Sequence, residues 1–332
     1  MRTDEVADLI RDVCERVILP RFRALASHEV IQKRPGDVVA VADREAEAEL
    51  TAAFGRATPG ALVVGEEASF ADPTALRALP DAEHAWVVDP VDGTRNFAAG
   101  THDFGVMVAE VRRGEATRGW IWQPLHDALY LVERGAGVTC NGTPLARLDP
   151  GPGPWEVAVW PRLRHTRAPG LRLRPTRGSC AIDYPALARG ELHGLAYRSI
   201  HPWDHLAGTL MVTELGGAAC VDGRAYAPGV TGRMLTVGAS PEVVELAAAE
   251  LGPVTAGARV LEGNARTTNS ARPCPGMITQ SRGSMPATQS REAPHSPGHE
   301  SVPADGSAEV SSRSPRKATL RPGTTATTSW SV

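Results

Sequence analysis

Four times in this chain an apolar run ends in carboxylates. Val63-Val64-Gly65 leads into Glu66-Glu67, and Trp86-Val87-Val88 leads into Asp89-Pro90-Val91-Asp92-Gly93-Thr94. The run 38–42 leads into Asp43, and His201-Pro202-Trp203 leads into Asp204 at the head of an apolar stretch. Short apolar runs bounded by turn residues read as buried strands or buried helix starts. A chain built this way delivers acidic side chains to the ends of its core elements, so its fold and its chemistry are tied together.

The rest of the body fits a mixed α/β arrangement. Val6, Leu9, Ile10, Val13 and Val17 recur at helical spacing, with Thr3 as expected N-cap and Pro20 as the stop. A second helix is predicted over 43–54, and others over 179–189, 203–215 and 241–251. The last has Ser240 as cap, Pro241 at the first helical position and Gly252 at the end. Strands are predicted over 61–64, 85–89, 104–111, 119–123, 128–133, 156–160 and 235–238, with Arg113-Gly114 as a hairpin turn. No internal repeat is visible.

Composition changes near residue 262. Residues 265–332 hold 12 Ser, 9 Thr and 8 Pro, but only five residues among Leu, Ile, Val and Phe. Too little apolar surface is available there to offset the entropy of ordering, so two parts are expected: a folded domain over 1–262 and a low-complexity disordered tail over 263–332. With eight basic and four acidic residues, that segment takes +4 of a total of −3, leaving −7 on residues 1–264.

A near-balanced total of 35 basic and 38 acidic residues gives no reason to expect nucleic acid as a partner. All but two of the basic residues are arginine, spread along the chain, which reads as codon composition. No apolar run reaches the roughly 18 residues of a membrane span, and the amphipathic start is unlike a signal peptide. Five scattered cysteines without C-x-x-C spacing give no expectation of a disulfide framework or a thiolate zinc site. A cytoplasmic protein with no membrane partner is the expectation.

Oxygen ligands of the kind gathered above suit Mg²⁺, which takes a few carboxylates together with water and phosphate oxygens. Pro90 stiffens the backbone between Asp89 and Asp92, so both can converge on one point. Gly93 and Thr94 offer backbone N–H groups at a helix start, a cradle for phosphate. Each segment alone has an ordinary explanation: Asp-Gly-Thr as a turn, Glu66-Glu67 as a solvated loop, Asp204 as a capping residue. Their order and spacing in one chain point elsewhere.

Trp86 to Phe97, W-V-V-D-P-V-D-G-T-R-N-F, resembles the first signature of the inositol monophosphatase family, W-x-x-D-P-[IL]-D-G-T-x-N-F. Trp203 to Gly217 is similar to the second, and Val64 to Glu67, Asp37 to Asp43 and Cys140-Asn141-Gly142 are similar to shorter segments of the same family. The resemblance spans residues 5–255. It implies the layered αβαβα sugar-phosphatase fold and a Mg²⁺-dependent phosphomonoesterase that is sensitive to lithium. Glu66, Asp89 and the Val91 carbonyl would hold one ion, Asp89, Asp92 and Asp204 a second, and a third would sit near Glu66. Asp43 and Thr94 would polarise the attacking water, and the Gly93 and Thr94 N–H groups would hold the phosphate. A small phosphorylated substrate and a homodimer go with the family.

Two departures bear on the substrate. The inositol-hydrolysing members carry a Glu seven residues before Asp204; here that position is Tyr197, so a ring polyol loses an acceptor and a more anionic or aromatic substrate is favoured. Asp183, on the helix start bordering the substrate, contacts sugar hydroxyls or closes the turn. Inositol phosphate, histidinol phosphate and sugar phosphates stay open, as does a 3′(2′),5′-bisphosphate nucleotidase of the same superfamily or a family-shaped protein without turnover. A haloacid-dehalogenase mechanism needs two Asp two positions apart; Asp89 and Asp92 are three apart with Pro90 between.

Overall fold

Alternation along the strands sorts the apolar side chains onto two faces of a sheet, and each face finds its own helices. The computed structural model describes residues 1–25, 30–34, 37–252 and Cys274, with backbone only for 30–34 and 37–40. The tail expected over 263–332 therefore lies, Cys274 apart, outside the described residues.

The chain opens with α1 (Thr3–Val13), which passes through a wider turn at Cys14–Ile18 into a tighter one at Leu19–Arg21 containing Pro20. Thr3 is the first helical residue and Arg2 takes the cap position, with its N–H donating to Glu5 Oε2 at 2.8 Å. The Thr3 hydroxyl instead bonds Glu133. A ribbon of β1 (Val30–Arg34) and β2 (Asp37–Ala40) feeds α2 (Val41–Ala57). Then come β3 (Leu62–Gly65), α3 (Glu66–Ala71), α4 (Thr74–Ala78), β4 (His84–Asp92) and α5 (Thr94–Ala98).

Next are β5 (Gly105–Arg112) and β6 (Glu115–Gln123), joined by Arg113 and Gly114 at φ 49° and 74°, the left-handed pair that suits a two-residue hairpin. After β7 (Ala128–Glu133) follow β8 (Gly137–Cys140), β9 (Thr143–Pro144), β10 (Trp155–Val159) and β11 (Leu171–Pro175). The last part holds α6 (Cys180–Ala188), β12 (Gly194–Tyr197), α7 (Pro202–Glu214), β13 (Ala218–Val221), β14 (Arg224–Ala225), β15 (Leu235–Gly238) and α8 (Pro241–Leu251).

One sheet has the order β3-β4-β5-β6-β7-β8-β9, parallel between β3 and β4 and antiparallel elsewhere. The other has the order β11-β10-β12-β15-β13-β14, parallel where β10 meets β11 and β12. Trp86 and Val88 of β4, with Val106, Val108 and Trp120, pack on α1 and α2 through Ile10, Leu50 and Phe54. Val87, Met107 and Ile121 face the opposite way, onto Tyr184 and Leu187 of α6 and Leu206 and Leu210 of α7. The same helices press on Ala158, Leu195 and Val237 of the second sheet. Val157, Val159 and Ala196 turn outward to Ala247 and Leu251 of α8. Helix, sheet, helix, sheet and helix thus alternate, the five-layer αβαβα order that the resemblance implies.

The cysteines depart from the sequence expectation at one pair. Cys220 on β13 and Cys274 are joined, with Cα atoms 6.0 Å apart at a sequence separation of 54. Cysteine spacing carries no information about partners brought together by a sheet. Cys14, Cys140 and Cys180 remain free thiols.

Candidate active site

Residue patterns placed the acidic groups at element ends; the fold puts those ends side by side. Asp89 and Asp92 close β4, and Asp204 sits in the first turn of α7, which crosses the same sheet. One carboxylate oxygen from each lies within 4.8 Å of the others. Three like charges at that distance in a largely buried spot cannot all ionise unaided. Burial, then the fields of Glu66, Asp92, Asp204 and Asp43, hold the Asp89 carboxyl well above the usual carboxylate range. One side chain therefore feels carboxylates from α2, α3, β4 and α7 at once. This donor set fits a divalent cation, which would relieve that repulsion with hard oxygen ligands.

Asp92 is organised from the far side. Burial raises its pKa, while the Ser179 hydroxyl and the backbone N–H groups of α6 oppose the rise. Ser179 Oγ donates to Asp92 Oδ2, and the Ala181 N–H donates to the same oxygen at 2.7 Å. The start of α6 is thereby clamped to the end of β4. Between Asp92 and α5, Gly93 has φ 86°. A Cβ there would lie 2.9 Å from Ser179 Cβ and 3.0 Å from the Asp103 carbonyl oxygen, so only glycine leaves the cradle open.

Thr94 Oγ1 donates to Asp43 Oδ1 at 2.9 Å, with the Val91 carbonyl oxygen also 3.0 Å away. With the hydroxyl proton committed to these acceptors, the Thr94 oxygen keeps lone pairs for an incoming O–H. Asp43 is 1% exposed, so its partner is built into the fold.

A residue that the sequence patterns did not single out holds the start of α3, where Glu66 sits. Glu47, one turn after Asp43 on α2, is 5% exposed and accepts from the N–H groups of Glu67 and Ala68, both at 2.7 Å. It caps α3 from outside that helix. Gly65 makes room, since a Cβ there would meet the Glu47 carboxyl at 2.3 Å. The visible signal was an acidic residue four positions after Asp43, on the same helical face.

The substrate side separates into two groups. Asp183 is 1% exposed and accepts from the Arg177 N–H at 3.1 Å and from Tyr197 Oη at 2.9 Å. Burial raises its pKa to about 6. Each oxygen thus accepts one hydrogen bond from within the protein, which ties Asp183 to the turn before α6 and to β12. Behind it lies His205, fully buried, with Nε2 2.8 Å from the Ser199 carbonyl oxygen and Nδ1 3.0 Å from Tyr184 Oη. Burial pushes its pKa down to about 4, so the ring is neutral: Nε2–H donates to Ser199 and Nδ1 accepts from Tyr184.

Residues 3–250 match the profile of the inositol monophosphatase family. The chain belongs to that family. An inositol-1-monophosphatase of Mesorhizobium japonicum is 33% identical over 214 residues, 59% of this chain and 76% of that protein. A Nus factor SuhB of Xylella fastidiosa is 30% identical over 217 residues, 61% of this chain and 76% of that protein. The solved Thermotoga maritima IMPase superposes with a TM-score of 0.63 at 21% identity, covering 75% of this chain and 97% of that one. The segments that resemble the family signatures, Trp86 to Phe97 and Trp203 to Gly217, fall on β4 through α5 and on α7 with the turn after it, the elements that bring Asp89, Asp92 and Asp204 together.

Proposed function

We propose that the protein is a Mg²⁺-dependent phosphomonoesterase acting on a small phosphorylated alcohol. The observation that carries this reading is the convergence of Asp89, Asp92 and Asp204 beside Glu66 and Asp43, with the Gly93 cradle next to them. Glu66, Asp89, the Val91 carbonyl, Asp92 and Asp204 would hold two to three Mg²⁺ ions. When bound, these ions supply Lewis acidity, a more acidic water and a counter-charge for the phosphate.

The chain's own residues set the geometry. Asp43 fixes the Thr94 hydroxyl so that its oxygen accepts from the attacking water, and the two together draw on that proton. Gly93 and Thr94 present backbone N–H groups to the phosphate at the start of α5. Ser179 and Ala181 hold Asp92. Membership of the family goes with direct displacement of the alcohol by the attacking water, without a covalent phosphoenzyme. Tyr197, in place of an acceptor carboxylate, favours a substrate with an aromatic or additional anionic group over inositol phosphate. A cytoplasmic location, lithium sensitivity and a homodimer go with this reading. Among the described residues no helix is long and apolar enough to cross a membrane.

Release of phosphate from 4-nitrophenyl phosphate, inositol 1-phosphate, histidinol phosphate, fructose 1,6-bisphosphate and adenosine 3′,5′-bisphosphate, with and without Mg²⁺, tests it. Mg²⁺-dependent turnover of at least one, lost in Asp92→Asn, is the expected result. No turnover of any would overturn it. The relative named Nus factor SuhB supports a second reading, a family-shaped regulatory protein. That reading predicts a chain that binds Mg²⁺ yet releases no phosphate from any of these esters.

A further inference from the structure

Outside the acidic site, one stretch of surface has the opposite character. From Val157 to Ile182 there are six arginines, one histidine and no Asp or Glu, within a body whose net charge is −7. The structure shows why this run is not an ordinary solvated face. β11 is the edge strand of the second sheet, paired to β10. Leu171 and Leu173 turn toward the α8 side with Val157 and Val159, so the pleat sends Arg172 and Arg174 to the other face, where both are exposed. Arg162, Arg164, His165 and Arg167, in the connection between β10 and β11, are exposed as well.

Few carboxylates neutralise them. Arg174 pairs with Glu156 at 2.6 Å, whereas Arg162, Arg167 and Arg172 have no carboxylate within 4.0 Å among the described residues. At the head of the strip Trp160 is 45% exposed, one of two large hydrophobic side chains so placed among the described residues. The Arg162 guanidinium carbon lies 4.9 Å from its ring centroid. Leaving an indole ring and several unpaired guanidinium groups in water beside one another is what a stacking and phosphate-binding surface requires.

We propose that the surface from Trp160 to Arg174 is a docking strip for single-stranded RNA, with phosphates on the arginine forks and one base stacked on Trp160. A half-exposed indole selects against a duplex, whose bases are already stacked, and the strip offers a loop and a strand edge rather than a helix for a groove. A bilayer would call for several exposed apolar side chains, and the strip has one. RNA is favoured over DNA because it is the polynucleotide that stands single-stranded for long stretches in cells. Whole-chain charge pointed away from nucleic acid because the −7 of the body hides a local excess.

The test is fluorescence anisotropy of the full chain with labelled U12 RNA, with parallel arms of dT12, duplex RNA, anionic phosphatidylserine vesicles and polyglutamate. U12 binding is expected at 50 mM salt, weakening as salt rises with a log–log slope of about −2 to −3.5, for three to five phosphates at roughly 0.7 each. The triple variant Arg162→Glu, Arg167→Glu, Arg172→Glu should lose at least tenfold in affinity, and Trp160→Ala roughly 5- to 150-fold, the loss of one stacked base. Both should keep the parent's melting temperature and its rate on small phosphate esters. Absence of U12 binding, binding unchanged in the triple variant, or equal or tighter binding of any parallel arm overturns the proposal. An inactive phosphatase that still binds U12 through the strip would overturn the proposed function alone.

Discussion

At the scale of single residues, the site depends on side chains that hold other side chains. Glu47 supplies both acceptors for the start of α3, the helix whose first residue is Glu66. Glu47→Gln should lower kcat for Mg²⁺-dependent phosphate release by roughly 10- to 100-fold, the usual cost of disturbing an outer-shell partner. Glu47→Ala leaves two N–H groups without their acceptor and should also cost about 1–3 kcal/mol in urea unfolding. A rate and a midpoint both equal to the parent's would remove Glu47 from the site. Asp183 gives the pH prediction. Its pKa is raised to about 6 by burial, so between about pH 4 and 6 the folded chain holds a proton that the unfolded chain has released. Its contribution to stability is therefore complete below about pH 4 and falls as pH rises through 6. In chelator, melting curves of Asp183→Asn should lack that part of the decline, and parallel curves for parent and variant would contradict the assignment.

Elements meet closely here, and a glycine decides one contact. Gly208 lies on α7 where the Tyr184 ring of α6 crosses, and a Cβ there would come within 2.2 Å of Tyr184 Cγ. That ring is fully buried and bonded to His205, so it cannot swing aside. Gly208→Ala should destabilise the fold by about 1–3 kcal/mol, measured by urea denaturation, with Gly55→Ala as a control because nothing lies within 4 Å of its position. The expected helices over 241–251 and 203–215, and the strands over 128–133 and 235–238, return at or within a residue of their bounds, because caps and periodicity are local signals. β11 and β12 fall outside the expected strands. Their sequences, Leu-Arg-Leu-Arg-Pro and Gly-Leu-Ala-Tyr, lack the β-branched residues by which the others were recognised, and only their sheet neighbours define them.

For the whole molecule, bringing Asp43, Glu66, Asp89, Asp92 and Asp204 together is a cost that a bound cation would offset. Ligands that bind the folded state alone raise its stability by mass action, by about 2.7 kcal/mol at a hundredfold excess over Kd. EDTA should lower the melting temperature, Mg²⁺ should restore it, and in Asp92→Asn the Mg²⁺-dependent rise should shrink; a midpoint indifferent to both would count against a metal site. The sequence alone was enough for the family and, through that resemblance, the layer order; contiguous motifs and periodicities of two and 3.6 also placed acidic residues just after β3, at the end of β4 and at the start of α2. Tertiary structure decided the rest: that β4 and α7 set Asp89, Asp92 and Asp204 within 4.8 Å, that Glu47 caps α3 and Ser179 holds Asp92, and that Cys220 meets Cys274. Contacts between residues dozens of positions apart are made by sheet order and helix packing, which leave no mark on the local pattern at either partner.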